Sequence, residues 1–282
     1  MNSLFSEKSG MNLIASSELA VLDVTYIIPV HNEANILADT VKELITSLQQ
    51  CRCAEIILAE NGSRDRSAEI ARSLTGQFGN VSVQTLCDLP KGLGHAWHSG
   101  IQLALSGKNR SSRPSQRWLV LSAADLPFGF SDLRSFVKRL TRKSSLQLAI
   151  GSKAHSESQV KMPWKRKFAS RIFRYLRYLI LGMRVEDSQG TIFIREELAR
   201  ELCDHVMTRD YFYSTELIWF CEKKRVVLEE LPVIYMGERR NSNVKLVGDS
   251  WTMIKHLFRL RIRREGTGAL KQSDLIDGHS GL

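Results

Sequence analysis

The sequence predicts an α/β fold in which a mostly parallel β-sheet is flanked by helices. Short apolar runs alternate with longer segments of helical periodicity through the first half of the 282-residue chain, and this alternation is typical of β-α-β units. The apolar runs are nearly continuous, as expected of strands that are covered on both faces. Polar and glycine-containing segments follow these runs, at the strand ends where parallel sheets bind ligands.

The first half of the chain alternates between predicted strands and predicted helices. The clearest helix begins near residue 34, because Val41, Leu44 and Leu48 recur at helical spacing on one face. The other elements are assigned by the same contrast between short apolar runs and longer amphipathic segments. Strands are predicted at 24–30, 55–59, 81–86 and 118–122, and helices at 34–50, 65–74 and 94–105.

The second half follows a less regular pattern. Strands are predicted near 146–151 and 226–235, and helices near 164–181, 196–203, 214–224 and 249–264. We expect an N-terminal extension at 1–22, one main domain at 23–247, a basic amphipathic helix at 248–264 and a disordered tail at 265–282.

The chain carries a formal net charge of +10, which suggests anionic partners such as phosphates or an acidic membrane face. We expect no nucleic-acid partner, because no basic segment carries the aromatic residues of the usual binding modules. No apolar run approaches the roughly 20 residues that span a bilayer. Five scattered cysteines are typical of reduced thiols. These features predict a cytoplasmic protein that can lie peripherally on the cytoplasmic membrane face.

The first predicted strand ends in Pro-Val-His-Asn-Glu at residues 29–33. Asn32 can cap the next helix, and Glu33 favours the positive end of that helix. This structural explanation leaves Pro29 and His31 unexplained, so the segment is a candidate binding loop.

The second strand ends in the turn sequence Glu60-Asn61-Gly62-Ser63. Asn-Gly is a common tight turn, and a serine or aspartate after it can cap a helix. The alternative places Glu60 or Asn61 against a nucleotide base, where a side-chain oxygen accepts a hydrogen bond from an N–H. Taken alone, the sequence favours the structural explanation.

The third strand is followed by Lys-Gly-Leu-Gly-His-Ala at residues 91–96. Gly92 and Gly94 let the backbone approach a phosphate, and the start of the following helix favours an anion. The spacing differs from a dinucleotide fingerprint, because Trp97 stands where a third glycine is expected. This difference counts against a dehydrogenase.

Asp125 follows the fourth strand in the sequence Ser-Ala-Ala-Asp-Leu-Pro at 122–127. An acid that emerges from a buried strand is costly unless it is paired, hydrogen-bonded or bound to a metal. A helix cap or an ion pair with an arginine would explain it structurally, and a ligand would explain it functionally.

Taken in order, these four segments resemble those of family-2 nucleotide-sugar glycosyltransferases with the GT-A fold, which have a Rossmann-like nucleotide-binding half. Residues 26–33 resemble the opening strand and donor loop, 60–65 the base-binding turn, 91–96 the lysine–glycine segment and 123–126 the metal-binding Asp-x-Asp. The resemblance covers residues 24–247. It implies nucleotide-sugar contacts for Pro29, His31, Glu33, Glu60, Asn61, Lys91, Gly92, Ala124 and Asp125.

Later segments are similar to those of polyprenyl-phosphate transferases such as dolichyl-phosphate mannose or glucose synthases. Residues 186–191 resemble their Asp-x-x-x-Gly segment, 212–217 a Glu-Leu segment and 231–242 their Pro-Val…Arg…Ser end. The resemblance implies catalytic roles for Asp125 and Glu216, with Glu216 open between a base, a ligand-orienting acid and a helix ion pair. It implies acceptor or phosphate contacts for Lys153, Arg239 and Asn241.

The sequence departs from the family at its metal motif. Ala123 replaces the first metal aspartate, and Pro127 occupies a nearby ligand position. Asp125 is the remaining candidate metal ligand, and one carboxylate holds Mg²⁺ or Mn²⁺ only if a diphosphate and waters supply further ligands. A cation can also stabilise the leaving diphosphate, and the candidates are Lys91, Lys153 and Arg239.

These expectations describe an inverting transfer of a hexose from a UDP- or GDP-sugar to a polyprenyl phosphate. A phosphate group with a pKa of about 6 is already largely anionic near neutrality, so this acceptor needs positive charge more than a base. The helices predicted at 164–181 and 249–264 can lie on an anionic membrane or pack on the core, and Arg171, Arg174 and Arg177 are expected to form one solvated stripe. The alternatives are a transferase with a soluble or saccharide acceptor, and a catalytically degenerate protein that binds sugar nucleotides or membranes.

Overall fold

The computed structural model of the chain describes residues 16–107, 117–235, 237 and 252–263. Its contacts divide it into two compact units, one of residues 1–162 and 185–240 and the other of residues 163–184 and 241–282. The predicted tail and the first 15 residues of the predicted extension lie outside the described residues.

Ten strands lie within the described residues of the first unit. They are β1 (Asp23–Val30), β2 (Cys53–Glu60), β3 (Gly76–Phe78), β4 (Val81–Leu86), β5 (Arg117–Leu121), β6 (Leu148–Ser152), β7 (Gln159–Val160), β8 (Ile192–Arg195), β9 (Leu228–Pro232) and β10 (Ile234–Tyr235). Eight of them form one sheet in the order β3-β4-β2-β1-β5-β8-β6-β9, and β7 and β10 form a separate parallel pair.

The large sheet is mostly parallel, as predicted. β1 lies parallel to β2 and β5, and β4 lies parallel to β2. β8 is antiparallel to both β5 and β6, so β6 and its parallel partner β9 run in the direction of β1. The carboxyl ends of six strands therefore meet at the same edge of the sheet.

The helices and strands that the sequence predicted are present within the described residues, with ends shifted by a few residues, except that the strand predicted near 226–235 is divided into β9 and β10, which lie in different sheets. The helices are α1 (Ser16–Leu19), α2 (Leu37–Leu48), α3 (Ser67–Ser73), α4 (Leu93–Ser106), α5 (Ser131–Arg142), α6 (Trp164–Leu181), α7 (Glu196–Leu202), α8 (Tyr213–Lys223) and α9 at 252–263. A short 3₁₀ turn, Cys203–His205, follows α7.

Two elements that contribute to the core, α5 and β8, were not predicted. α5 buries a narrow face that includes Leu133, Phe136 and Val137 within a largely polar, basic sequence. Its few apolar residues are periodic but do not form the kind of apolar segment from which the other elements were predicted. β8 is a four-residue antiparallel strand between β5 and β6, so it interrupts the alternation on which the prediction depended.

These two elements meet in the core of the first unit. The ring of Phe136 stacks on Phe193 with centroids 4.4 Å apart, and Trp118 packs edge-on against Phe136 at 4.7 Å. All three side chains are almost completely buried. Aromatic pairs of this kind contribute about 0.5–1.5 kcal/mol beyond the area that they bury, so they fix α5 against the sheet.

The second unit contains α6 and α9. Gly182 ends α6 in the left-handed conformation with φ 68, which glycine adopts without steric cost. The guanidinium of Arg261 on α9 donates to the carbonyl oxygen of Ile180 on α6 at 2.8 Å. The predicted arginine stripe is wrong at Arg177, which is buried with its guanidinium over the ring of Phe173. Among the described helices, none is long and apolar enough to cross a membrane.

Candidate functional site

The carboxyl ends of four neighbouring parallel strands form one edge of the sheet. β4, β2, β1 and β5 lie side by side in this order. The loops that follow them contain the four segments predicted from the sequence, at 29–33, 60–65, 91–96 and 122–127. The fold thus places all four segments where open α/β sheets bind ligands.

Pro29, the residue before the last of the central strand β1, costs no sheet hydrogen bond. A proline lacks the N–H that a central strand normally uses. The pairing of β1 with β5 ends with Ile27 opposite Leu121, and the carbonyl oxygen of Ile27 accepts from the N–H of Ser122 at 3.3 Å. Alternate residues of a strand face the same neighbour, so the backbone of Pro29 faces β5, as that of Ile27 does. The pairing with β5 has already ended at Ile27, and no N–H is needed at Pro29.

The loops after β1 and β2 are tied together by polar side chains. The Nδ1 atom of His31 lies 3.2 Å from the carbonyl oxygen of Asn61. Asn32, in the left-handed region with φ 57, accepts from the N–H of Arg64 at 2.8 Å and donates its own N–H to the Ser63 hydroxyl at 3.0 Å. The Asn32 side chain therefore joins the two loops instead of capping α2.

Asp65 forms a second tie between the same loops. Its carboxylate accepts from the N–H and the hydroxyl of Ser67 and from the N–H of Ala34. Burial alone would raise the pKa of Asp65, but these hydrogen bonds outweigh burial and hold that pKa below its ordinary value. The Ser67 hydroxyl in turn accepts from the N–H of Glu33 at 2.8 Å, so the backbone of Glu33 is fixed in a buried position.

Glu60 and Asn61 differ in what their side chains contact. The carboxylate of Glu60 accepts from the N–H groups of Ser63 at 2.6 Å and Asp88 at 3.4 Å, so it fixes the turn. The Oδ1 atom of Asn61 is buried and has no hydrogen-bond partner among the described residues. A buried oxygen without a partner costs about 1–3 kcal/mol, and an N–H of a ligand would satisfy it. Of the two candidates, Asn61 is the better base-reading residue.

The segment after β4 lies against the turn after β2. Gly62 has φ 79, and a Cβ at this position would lie 3.7 Å from the Cβ and N atoms of Lys91. The Lys91 side chain is exposed and forms no ion pair within the described parts of the chain. Its ammonium is therefore available to an anionic ligand at this edge.

The two glycines of this segment are explained by the chain itself. A Cβ at Gly92, where φ is 143, would overlap the carbonyl oxygen of Arg209, and a Cβ at Gly94 would lie 2.6 Å from the carbonyl carbon of Arg209. The N–H of His95 in the first turn of α4 donates to the same carbonyl oxygen at 3.1 Å. The close approach predicted for a phosphate is thus made here by the backbone of Arg209.

Asp125 is 7% exposed and lies in a loop that is held from two sides. The Thr40 hydroxyl donates to the carbonyl oxygen of Ala124 at 2.6 Å, and the Trp97 indole donates to the carbonyl oxygen of Ser122 at 3.2 Å. These bonds fix the backbone that leads into Asp125, so the start of its loop is held by α2 and α4.

A divalent cation would find one predicted carboxylate ligand here. Within the described ranges, no three His, Cys, Asp or Glu side chains form a group that could hold a metal ion. Mg²⁺ commonly binds through one or two carboxylates, substrate phosphates and waters instead of an all-protein cage. Asp125 fits a cation that the phosphates of a bound ligand help to hold, and does not fit one held by protein alone.

Lys153 is held by an acidic partner. Its ammonium lies 3.0 Å from the carboxylate of Asp187, which also accepts from the N–H of Lys153 at 3.0 Å. Burial alone would raise the pKa of Asp187, but Lys153 outweighs burial and holds that pKa below its ordinary value. Lys153 is therefore a partly neutralised cation. The other two predicted acceptor residues, Arg239 and Asn241, lie outside the described residues.

Glu216 is 2% exposed and accepts hydrogen bonds from a neighbouring segment. Its Oε2 atom accepts from the N–H of Met207 at 3.2 Å and from the N–H and hydroxyl of Thr208 at 2.8 and 2.6 Å. His98 on α4 is half-buried, and its Nε2 lies 3.2 Å from the guanidinium of Arg209. Burial, with Arg209 as the next cause, lowers the pKa of His98.

Asp132, in the first turn of α5, is a buried acid that was not predicted from the sequence. This carboxyl is buried beside Gly151, near the carboxyl end of β6. Burial raises its pKa to about 6, although hydrogen bonds from Thr191 and from the N–H of Leu133 lower it. Asp132 was missed because α5 was missed, and an Asp after Ser at a helix start has an ordinary structural explanation.

Comparisons with known proteins agree with this geometry. The family model described as "Glycosyl transferase family 2" matches residues 25–202. These residues include the four strand-end segments and extend through α7.

Two relatives and one solved structure illustrate the similarity. Glycosyltransferase AglD of Haloferax volcanii is 26% identical over 87% of this chain and 38% of its own length. The dolichyl-phosphate beta-glucosyltransferase ALG5C of Trichomonas vaginalis is 25% identical over 79% of this chain and 66% of its own length. The chain thus spans only part of each relative.

The solved structure is glucosyl-3-phosphoglycerate synthase from Mycobacterium tuberculosis in complex with Mn²⁺, UDP and phosphoglyceric acid. It superposes with a TM-score of 0.61 at 16% identity, over 88% of this chain and 80% of that one. A likeness at this identity shows the fold, and it confirms the predicted GT-A architecture.

Proposed function

We propose, from the premise that this chain belongs to glycosyltransferase family 2, that it transfers a hexose with inversion from a UDP- or GDP-sugar to a polyprenyl phosphate. The observation that carries the donor half of this proposal is the buried, unpartnered Oδ1 atom of Asn61. It lies in the loop after β2, at the sheet edge where nucleotides bind in open α/β folds. A base N–H would give this oxygen its missing hydrogen bond.

The same edge provides groups for the donor diphosphate. Lys91 is exposed directly beside the Asn61-Gly62 turn, so a base at Asn61 and a phosphate at Lys91 can belong to one ligand. Asp125 would hold a cation that the diphosphate completes. Charge that grows on a leaving diphosphate is stabilised by such preorganised cations.

The acceptor half of the proposal is supported by the dolichyl-phosphate relative and by the surface of α6. An aromatic and aliphatic row along this helix is exposed to solvent, at Trp164, Phe168, Ile172, Tyr175 and Leu179. Basic residues lie beside it at Lys165, Lys167 and Arg171, all exposed. A helix that combines exposed apolar and basic residues suits the interface of an anionic membrane, which is where a polyprenyl phosphate resides.

A transfer assay tests this proposal. We expect labelled product from UDP-glucose or GDP-mannose with polyprenyl phosphate, and a melting temperature raised by the preferred donor, since a ligand that binds the native state stabilises it. Parallel reactions with Mg²⁺, Mn²⁺ or a chelator test the cation. Product from a soluble phosphorylated or saccharide acceptor would replace the lipid acceptor. Donor binding without transfer to any acceptor would favour the catalytically degenerate alternative that Ala123 and Pro127 suggest.

Membrane contact through α6 leads to a separate prediction. Liposomes with anionic lipid are expected to float the native chain, and the double variant Phe168→Ser/Ile172→Ser is expected to bind about tenfold or more weakly, because each buried methylene contributes about 0.8 kcal/mol. Both residues are exposed, so folding is not expected to change. Val21→Ser, at another exposed apolar residue, is the matched control. Equal flotation of all three proteins would exclude α6 as the membrane-binding surface.

A further inference from the structure

Residues 206–210, here called the clamp segment, connect the 3₁₀ turn after α7 to α8 and lie against the donor-side segment 91–96. No regular secondary structure holds the clamp segment. Its conformation therefore depends on side-chain hydrogen bonds, and Glu216 provides three of them through a single oxygen atom.

The clamp segment and the start of α4 fit closely. The carbonyl oxygen of Arg209 accepts from His95, and neither Gly92 nor Gly94 has room for a Cβ against the Arg209 backbone. A displacement of the clamp segment by even an ångström would therefore change the packing of the segment that contains Lys91. Glu216 is thus connected through the clamp segment to the sheet edge that contains Lys91, which is here called the donor edge.

The side chain of Arg209 strengthens this connection. Its guanidinium donates to the carbonyl oxygens of Val206 at 2.6 Å and Thr208 at 3.1 Å, and it lies 3.2 Å from His98 Nε2. His98 and Trp97 both contact the ring of Tyr213. Since the Trp97 indole also holds Ser122, the contacts continue from the clamp segment to the loop of Asp125.

We propose that Glu216 is a positioning residue that fixes the clamp segment against the donor edge, and not the general base. This inference rests on the proposed function. A base must come within hydrogen-bond reach of the proton that it removes. Glu216 is 2% exposed, and its Oε2 atom already accepts three hydrogen bonds. A lipid-phosphate acceptor is already anionic near neutrality and needs no base.

Two substitutions separate the roles. Glu216→Gln keeps an oxygen acceptor for the clamp segment and removes the basic group. It is expected to lose less than about tenfold in kcat, with an unchanged pH–rate profile, because hydrogen bonds to a neutral acceptor are about half as strong as those to a carboxylate. Glu216→Ala removes the acceptor and is expected to raise the donor KM and lower kcat/KM by about 10²-fold, as misplacement of about 1 Å can.

Hydrogen–deuterium exchange provides a readout that does not depend on activity. Glu216→Ala is expected to increase exchange in peptides covering 91–98 as well as 206–210, and Glu216→Gln much less. Thr208→Val removes the hydrogen bond from the Thr208 hydroxyl to Glu216 and leaves Glu216 in place. It is expected to give an intermediate increase in exchange, and it replaces Glu216→Ala if that variant does not fold. Glu201→Ala, at an exposed ion pair with Lys224, is the control and should match the native protein.

The results distinguish failure of this inference from failure of the proposed function. A loss of 10²–10⁴-fold in kcat for Glu216→Gln with native exchange would identify a general base and overturn the inference. Native exchange at 91–98 in Glu216→Ala would overturn it as well, whether or not the chain transfers sugar. If the native chain neither binds nor transfers any donor while the exchange pattern is as expected, the proposed function is wrong. The role of Glu216 in holding the clamp segment is then still supported.

Discussion

Replacing Asp125 with alanine is expected to lower kcat by about 10³-fold or more, because preorganised charge at the leaving group supplies several kcal/mol of transition-state stabilisation. The carboxylate lies in a loop whose backbone is fixed by Thr40 and Trp97. The loop is therefore expected to keep its conformation when the carboxylate is removed. Steady-state transfer with saturating donor measures the effect, and circular dichroism checks the fold.

Two companion variants make this result specific. Asp125→Asn keeps the shape and loses the charge, so it should lose nearly as much activity as alanine if the carboxylate binds a cation. Asp39→Ala removes an exposed carboxylate from the first turn of α2 and should behave as the native protein. If the metal is held by Asp125 together with the donor, both Asp125 variants should need more Mn²⁺ or Mg²⁺ for their remaining activity. Native turnover in Asp125→Ala would refute the assignment.

The fold could be predicted from the sequence because its central strands carry an unambiguous signal. β1 and β2 are buried along almost their whole length. Strands that are covered on both faces have nearly continuous apolar sequences. The predictions failed where burial is narrow or the strand is short. α5 presents a few apolar residues in a polar sequence, and β8 has four residues and runs against its neighbours.

The candidate site could be predicted only for polar or charged residues that directly follow a predicted strand. Lys91 and Asp125 follow strands in the sequence, so the parallel sheet alone brings their loops to one edge. The contacts of Arg209 with Gly92 and Gly94 could not be foreseen. They join segments more than a hundred residues apart, and no local pattern in the sequence determines which backbone comes to lie against a glycine.

Gly190 has no room for a Cβ, so its substitution tests how the 187–191 loop packs on β6. A Cβ at Gly190 would overlap the carbonyl oxygen of Gly151 at the end of β6. Both partners are backbone, and the N–H of Gly151 donates to the carbonyl oxygen of Thr191 at 2.8 Å, so neither β6 nor the loop before β8 can withdraw without loss of this bond. The same loop contains Asp187, which holds Lys153, and the overlap therefore affects the surroundings of Lys153, a residue that we propose contacts the acceptor.

Gly190→Ala is accordingly expected to lower the free energy of unfolding by about 3 kcal/mol or more, because a packed interior accommodates an added methyl group only by strain. Urea denaturation measures the change, with soluble expression as a first indication. Gly107→Ala is the matched control: a Cβ there would meet its nearest atom at an ordinary 3.5 Å, and φ is −61, so stability should change little. A Gly190→Ala protein as stable as this control would mean that the 187–191 loop does not pack on β6 as described, and the pairing of Lys153 with Asp187 would lose its structural basis.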